Sequence, residues 1–199
     1  MADRWVVASS NAGKIAEMAA LLAAIDIEPV SQAEFEVDDA VEDGMAFVEN
    51  ALIKARHAAS ATGLPAIADD SGLAVDYLDG APGIFSARYA GVHGDDSANN
   101  AKLLAELDGV AEAERGAAFH CCLVAMRSAT DPAPIVAHGV WRGRILEAPR
   151  GAGGFGYDPL FWVAAEKASA AELGADRKNA ISHRGQAMAK LVEQLRDHG

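Results

Sequence analysis

Five stretches of this chain gather side chains that can do chemistry. The sharpest is "ADDSG", where Asp69, Asp70 and Ser71 sit between two apolar runs and Gly72 follows. Carboxylates are expensive to bury, so a pair flanked by apolar residues calls for a compensating cation, metal or proton. Three chemistries compete for it. An aspartic protease needs two Asp-Ser/Thr-Gly segments facing each other, and the chain has one. A dehalogenase-type phosphatase needs Asp-x-Asp on one strand face, whereas adjacent aspartates point to opposite faces. The third is a strand-end carboxylate pair holding Mg²⁺ against a phosphate, which hard oxygen ligands in a dry surround suit well. A polar turn between two strands is the bland alternative.

The other four stretches are weaker alone. "SSNAGK" supplies Ser9, Ser10, Asn11, Ala12, Gly13 and Lys14 where a strand feeds a helix. Hydroxyls, an amide and free helix N–H groups there suit an anion, and Lys14 adds charge. It is not a Walker A loop, because Ala8 and Ile15 stand where Gly and Ser/Thr are needed. Asn50 and Lys54 share one face of a predicted helix, behind an acidic run that holds Asp38, Asp39, Glu42 and Asp43. "GGFGYDP" makes a glycine loop presenting Phe155, Gly156, Tyr157 and Asp158, with Phe155 able to stack on a flat base. "RKNAISHRG" offers Lys178, His183 and Arg184 as donors at a helix start, with Ser182 as its cap. Against these stand a capped helix with a solvated lysine, a solvated polar face, a loop with its aromatic in the core, and a plain basic helix start. Together the five make an inventory for a nucleoside triphosphate: anion loop, metal carboxylates, stacking ring and donor pair.

The elements that must position them follow from periodicity. "RWVVAS" reads as a strand, and the next segment as a helix whose stripe is Ile15, Met18, Leu22 and Ile25. A second helix ends near Gly63; "LPAIAD" and "GLAVDYL" read as strands broken at Asp-Asp-Ser-Gly, with Gly72 turning the chain sharply. "DDSANNAKLLAELDG" is helical, and "AAFHCCLVAMRS", "APIVAHGVWRG" and "RILEAP" are successive strands. A last helix carries Met188, Leu191, Val192 and Leu195 on one face. Helices early and late around a strand-rich middle give an α/β fold, a mixed sheet flanked by helices. A simple Rossmann order is not supported, since "ASSNAGK" lacks G-x-G-x-x-G.

A net charge of −12 disfavours nonspecific binding to nucleic acid or an anionic membrane, but not a small anion met by local cations. No apolar run reaches the ~18 residues a membrane span needs, and the N-terminus lacks a secretion signal's basic and apolar regions. The two cysteines, Cys121 and Cys122, are adjacent, so a disulfide between them is disfavoured and both read as small core residues. The expected location is a reducing cytoplasm.

The blocks "SSNAGK", "FVENALIKARHAA", "LPAIADDSGLAVDYLDGAPGIFSARYAG", "GGFGYDPLFW" and "ISHRGQAMAKL" run in order over nearly the whole chain. In them the chain closely resembles the inosine/xanthosine triphosphate pyrophosphatase family. The resemblance implies hydrolysis of ITP, dITP and XTP to the monophosphate and pyrophosphate with Mg²⁺. It also implies a long mixed central sheet with two lobes and an active-site cleft between them, one two-lobed domain over residues 1–199, and a homodimer. By position, residues 9–14 would contact the triphosphate and Asp70 would be general base or metal ligand, with Asp69 beside it and Lys54 near the phosphates. Ser71 would contact substrate, residues 155–158 would hold the base, and Lys178, His183 and Arg184 would complete its recognition. Two departures stand out: Val41 takes the first place of an acidic pair, leaving Glu42 as the metal candidate from that run, and Ser9 replaces the usual Thr while keeping its hydroxyl.

Overall fold

The computed structural model of the chain describes residues 3–9, 15, 18–19 and 21–197. Among the described residues seven strands form one sheet: β1 (Asp3–Val7), β2 (Ile27–Ser31), β3 (Ala66–Val75), β4 (Gly116–Met126), β5 (Ile135–Ile145), β6 (Phe161–Val163) and β7 (Ala168–Ser169), in the order β2-β1-β3-β4-β5-β6-β7. β1 runs parallel to β2 and β3, whereas β6 is antiparallel to β5 and β7, so the sheet is mixed as expected. The longer helices are α1 (Phe47–Thr62), α2 (Asp96–Glu106), α3 (Ala175–Ile181) and α4 (His183–Asp197). None of the described helices is long and apolar enough to cross a membrane.

The chain divides into two compact units. The first comprises Met1–Asp70, Cys121–Gly139 and Gln186–Gly199, the second Ser71–His120 and Val140–Gly185. In the first, the two-residue period of the strands sorts side chains into two cores. Trp5, Val7, Ile67, Cys121, Leu123 and Ala125 pack with Met18, Leu22 and the Met188–Leu191–Val192 stripe of α4. Val6, Ala8, Ala66, Ala68, Cys122, Val124 and Met126 pack instead with Ala51, Ala55, Ala58 and Ala59 of α1. Cys121 and Cys122 thus enter different cores, both reduced and buried. In the second unit Leu73, Val75, Leu103, Leu107, Phe119, Trp141 and Phe161 form the core.

The sequence reading placed no strand at β2 or β7, and three further elements differ from it. β3 runs unbroken through Asp69-Asp70-Ser71-Gly72, so there is no sharp turn at Gly72. The aspartates lie mid-strand, and ladder pairing overrides the local turn propensity of Asp, Ser and Gly. β5 likewise absorbs "RI" of "RILEAP" into one eleven-residue strand. Near the C-terminus a short separate helix, α3, precedes α4; Ser182 divides them and accepts a hydrogen bond from Gly185 N (3.2 Å), the expected cap.

Candidate functional site

In the first unit the charged residues gather where α1 faces β3. Alternation along β3 sends Asp70 to the side of Ala66 and Ala68, against α1, and Asp69 to the side of Ile67. Both are buried. Asn50 and Lys54, one helical turn apart, meet Asp70: Lys54 Nζ lies 3.1 Å from Oδ1, and Asn50 Nδ2 donates to Oδ2 at 3.2 Å. Lys54 also pairs with Glu42 Oε1 at 2.9 Å. The shared face of Asn50 and Lys54 is therefore no solvent face. Asn50 is 0% exposed and flanks the Ala51–Ala55–Ala58 stripe, with Val48 and Leu52 on the stripe's other edge.

The acidic run lies along the same helix. His57 Nε2 is 2.9 Å from Asp38 O, Gln32 Nε2 donates to Asp39 Oδ1 (2.6 Å), and Gly44 N donates to Asn50 Oδ1 (2.9 Å). Met45 N and Ala46 N donate to Glu49 Oε2, which caps the helix start. Of the four carboxylates in the run, Glu42 is the one seated on Lys54.

Electrostatics follows from this packing. Burial pushes the Asp70 carboxyl up, the Lys54 ammonium and the Asn50 amide draw it partly back, and Glu42 pushes it up again; the net direction is upward. For Lys54, burial works against the ammonium, but Asp70, Asp69 and Glu42 more than offset it, so its pKa rises. The cluster is an ammonium locked among carboxylates, with the Asp70 carboxyl held above its ordinary value by burial.

Does this donor set fit a metal? Among the described residues no three His, Cys, Asp or Glu side chains converge as a cage. Glu42 and Asp70 do converge on one cation, the Lys54 ammonium. Two hard carboxylates, leaving phosphate oxygens and water to complete the coordination, are the donor set of a nucleotide-bound Mg²⁺, so the chemistry of the residues fits one.

The second unit holds the other cluster. Gly154 and Gly156 have φ of +75° and +60°, and a Cβ on Gly154 would sit 2.1 Å from Asp158 Oδ2. Glycine is required there because the loop curls around that carboxylate. Asp158, 2% exposed, accepts from Phe155 N (2.8 Å) and from Lys178 Nζ. From α2, Asp96 accepts from Gly156 N (2.6 Å) and Asn100 Nδ2 donates to Gly156 O (2.8 Å). Tyr157, 4% exposed, anchors the loop by donating to Ser86 O (2.9 Å). Phe155 stays 58% exposed, with Lys178 Nζ 4.6 Å and Arg184 Cζ 5.8 Å from its ring centroid. His183 stacks on Phe119 at 4.8 Å and 11°, and both His183 and Arg184 are buried. An exposed flat ring among fixed donors is suited to a planar heterocycle.

The structure thus brings Glu42, Lys54 and Asp70 together in one unit, and Phe155, Gly156, Tyr157, Asp158, Lys178, His183 and Arg184 in the other. Ser9 lies two residues past the end of β1, its carbonyl accepting from Ser31 Oγ (3.3 Å), and Ser71 follows Asp70 on β3. Ser10, Asn11, Ala12, Gly13 and Lys14 lie outside the described residues. Asp96 and Asn100 were not singled out from sequence; their four-residue spacing ahead of a glycine loop was the available signal, and its target is sixty residues away.

The Ham1 family model matches residues 5–194. A dITP/XTP pyrophosphatase of Vibrio cholerae is 56% identical over 192 residues, covering 96% of each chain. Among solved structures, a HAM1 protein of Coxiella burnetii superposes with a TM-score of 0.94 at 50% identity, covering 98% of this chain and 99% of its own. The Ham1 protein of Staphylococcus aureus gives 0.91 at 37% identity, covering 99% and 100%. Matched in sequence and in α/β architecture over nearly its whole length, this chain belongs to the Ham1 family.

Proposed function

We propose that this protein hydrolyses non-standard purine nucleoside triphosphates (ITP, dITP and XTP) to the nucleoside monophosphate and pyrophosphate, clearing them from the nucleotide pool. The observation that carries the reading is the buried Asp70 carboxylate held between Lys54 and Asn50 in a chain whose relatives bear the name dITP/XTP pyrophosphatase. Water attacks the α-phosphorus, a new P–O bond forms, and the bond to the bridging oxygen breaks with pyrophosphate leaving. The proton of the attacking water passes to Asp70, whose raised pKa suits a general base. Lys54, with Lys14 from the segment of residues 9–14, offsets charge developing on the departing phosphates. Glu42 and Asp70 would hold Mg²⁺, which when bound neutralises phosphate charge and polarises the reacting phosphoryl group. The oxygens of Asp70 have different partners, Lys54 at Oδ1 and Asn50 at Oδ2, so one carboxylate can serve both metal and proton. Asp69 adds negative field at Lys54, and Ser9 and Ser71 contact the substrate.

In this reading the base stacks on Phe155 in the loop of Gly156, Tyr157 and Asp158. Asp158 is turned to Phe155 N and Lys178, so Lys178, His183 and Arg184 present donors to the base edge. Hypoxanthine and xanthine offer a 6-oxo acceptor there, whereas adenine offers an amino donor and leaves buried donors unpaired. The protein would work as a homodimer in the cytoplasm, where two buried free thiols persist.

Incubation with ITP, XTP, dITP, ATP and GTP plus Mg²⁺, with pyrophosphate assayed against orthophosphate, tests the reading. The expected result is pyrophosphate from the first three at rates well above ATP. Orthophosphate alone, or equal rates on ATP, overturns it.

A further inference from the structure

The one polar side chain in the first cluster with no assigned duty is Asn50. It is 0% exposed, so both ends of its carboxamide must be paired inside the protein. Its partners settle which end is which. A carboxylate only accepts, so the amide nitrogen faces Asp70 Oδ2 at 3.2 Å; a backbone N–H only donates, so the amide oxygen faces Gly44 N at 2.9 Å. Gly44 lies two residues after Glu42. A Cβ at position 44 would come within 2.7 Å of both Asn50 Oδ1 and Glu49 Cβ, so the close approach of the acidic run to Asn50 depends on glycine.

We propose that Asn50 is a positioning residue that sets the two carboxylate carriers of the site together. Its N–H end orients Asp70 on β3, and its oxygen end pins the segment that delivers Glu42 to Lys54. One rigid planar amide on the first turn of α1 thereby fixes the spacing of Asp70 and Glu42, before substrate or metal arrives. Preorganisation of this kind acts on the chemical step rather than on substrate affinity. The inference rests on the pyrophosphatase reading for its catalytic consequence, while its geometry stands apart from it.

Asn50→Asp and Asn50→Leu have nearly the same shape and separate the two bonds. Asn50→Asp keeps an acceptor for Gly44 N–H but turns an oxygen toward Asp70. Its kcat on ITP is expected to fall by about 10²-fold with KM within about threefold of the parent, and the Gly44 amide should exchange with solvent as slowly as before. Asn50→Leu loses both bonds, so its Gly44 amide should exchange at least about tenfold faster. A merely structural role would lower the melting temperature of both variants and leave kcat below the transition unchanged. Asn50→Asp with kcat within threefold of the parent overturns the proposal, as does unchanged Gly44 exchange in Asn50→Leu. Should Asn50→Leu fail to fold, Gly44→Ala replaces it. That variant should cut kcat with Asn50 intact, and parental kcat there overturns the proposal. If the parent itself releases no pyrophosphate from ITP, the functional reading falls, and amide exchange still decides whether Asn50 holds Gly44.

Discussion

The two clusters are built on opposite plans. In the first unit charge meets charge directly: Lys54 on α1 lies between Asp70 on β3 and Glu42 on the irregular acidic run, with Asn50 filling the remaining side of Asp70. In the second, the presenting segment is a loop, and what holds it is side chain to backbone: Asp158 on Phe155 N, Asp96 on Gly156 N, Asn100 on Gly156 O. Rigid elements suit groups that must stabilise charge within a narrow geometry. A glycine loop pinned at several points suits an exposed ring that must meet a flat ligand face. The difference teaches where damage should appear: in kcat for the first cluster, in KM for the second.

Asp70→Asn should break the first side of that contrast hardest. The amide keeps the shape but takes no proton, so kcat should fall by about 10²-fold or more with KM little changed. Steady-state kinetics with ITP decide it, and near-normal turnover removes Asp70 from the chemical step. On the other side, Gly154→Ala forces a side chain onto a positive φ and into Asp158. KM for ITP should rise by about tenfold with kcat within about threefold; a fall confined to kcat would erase the contrast. Asp96→Ala frees one N–H of the loop, so a smaller rise in KM, about threefold to fivefold, is expected from the loss of a single hydrogen bond.

The last prediction sits outside both clusters and shows what a charge does when it is purely structural. Asp131 closes the turn after β4, accepting from Arg127 N (2.9 Å) and Ala133 N (3.0 Å). The Arg127 backbone N–H, its guanidinium and Ala133 N–H lower the carboxyl from 3.8 to about 2. A lowered carboxylate pKa contributes stability above the unfolded value that is lost as pH falls through the folded one. Asp131→Asn should therefore lower the denaturation midpoint at pH 6, and the gap from the parent should close as pH falls from about 4 to 2. Turnover of ITP should stay unchanged; a drop would tie this turn to catalysis.

Much of the site was legible because its side chains are chemically distinctive and cluster in short blocks. Phe155 to Asp158 and the Lys178–His183–Arg184 set stood out as candidates, each weak alone, since a glycine loop and a basic helix start show in composition. Asn50 was legible only as a neighbour of Lys54 on one helix face: its bonds reach Asp70 twenty residues on and Gly44 six residues back, and a helical wheel shows neither. The same limit hid the continuity of β3. Asp-Asp-Ser-Gly has turn composition, and only pairing along the sheet keeps it extended.

What the sequence determined by itself is the inventory and its order: apolar periods of two and about three and a half that demand a sheet with helices against it, carboxylates and lysines gathered in short blocks, and a ring in a glycine loop. Those follow from side-chain chemistry and local geometry, which short stretches carry whole. Tertiary structure alone decided which face each aspartate takes, which of four acidic residues meets Lys54, and that Asp96 and Asn100 hold a loop sixty residues away. These depend on contacts between distant segments, where burial makes every polar group find a partner and few of the possible partners are within reach.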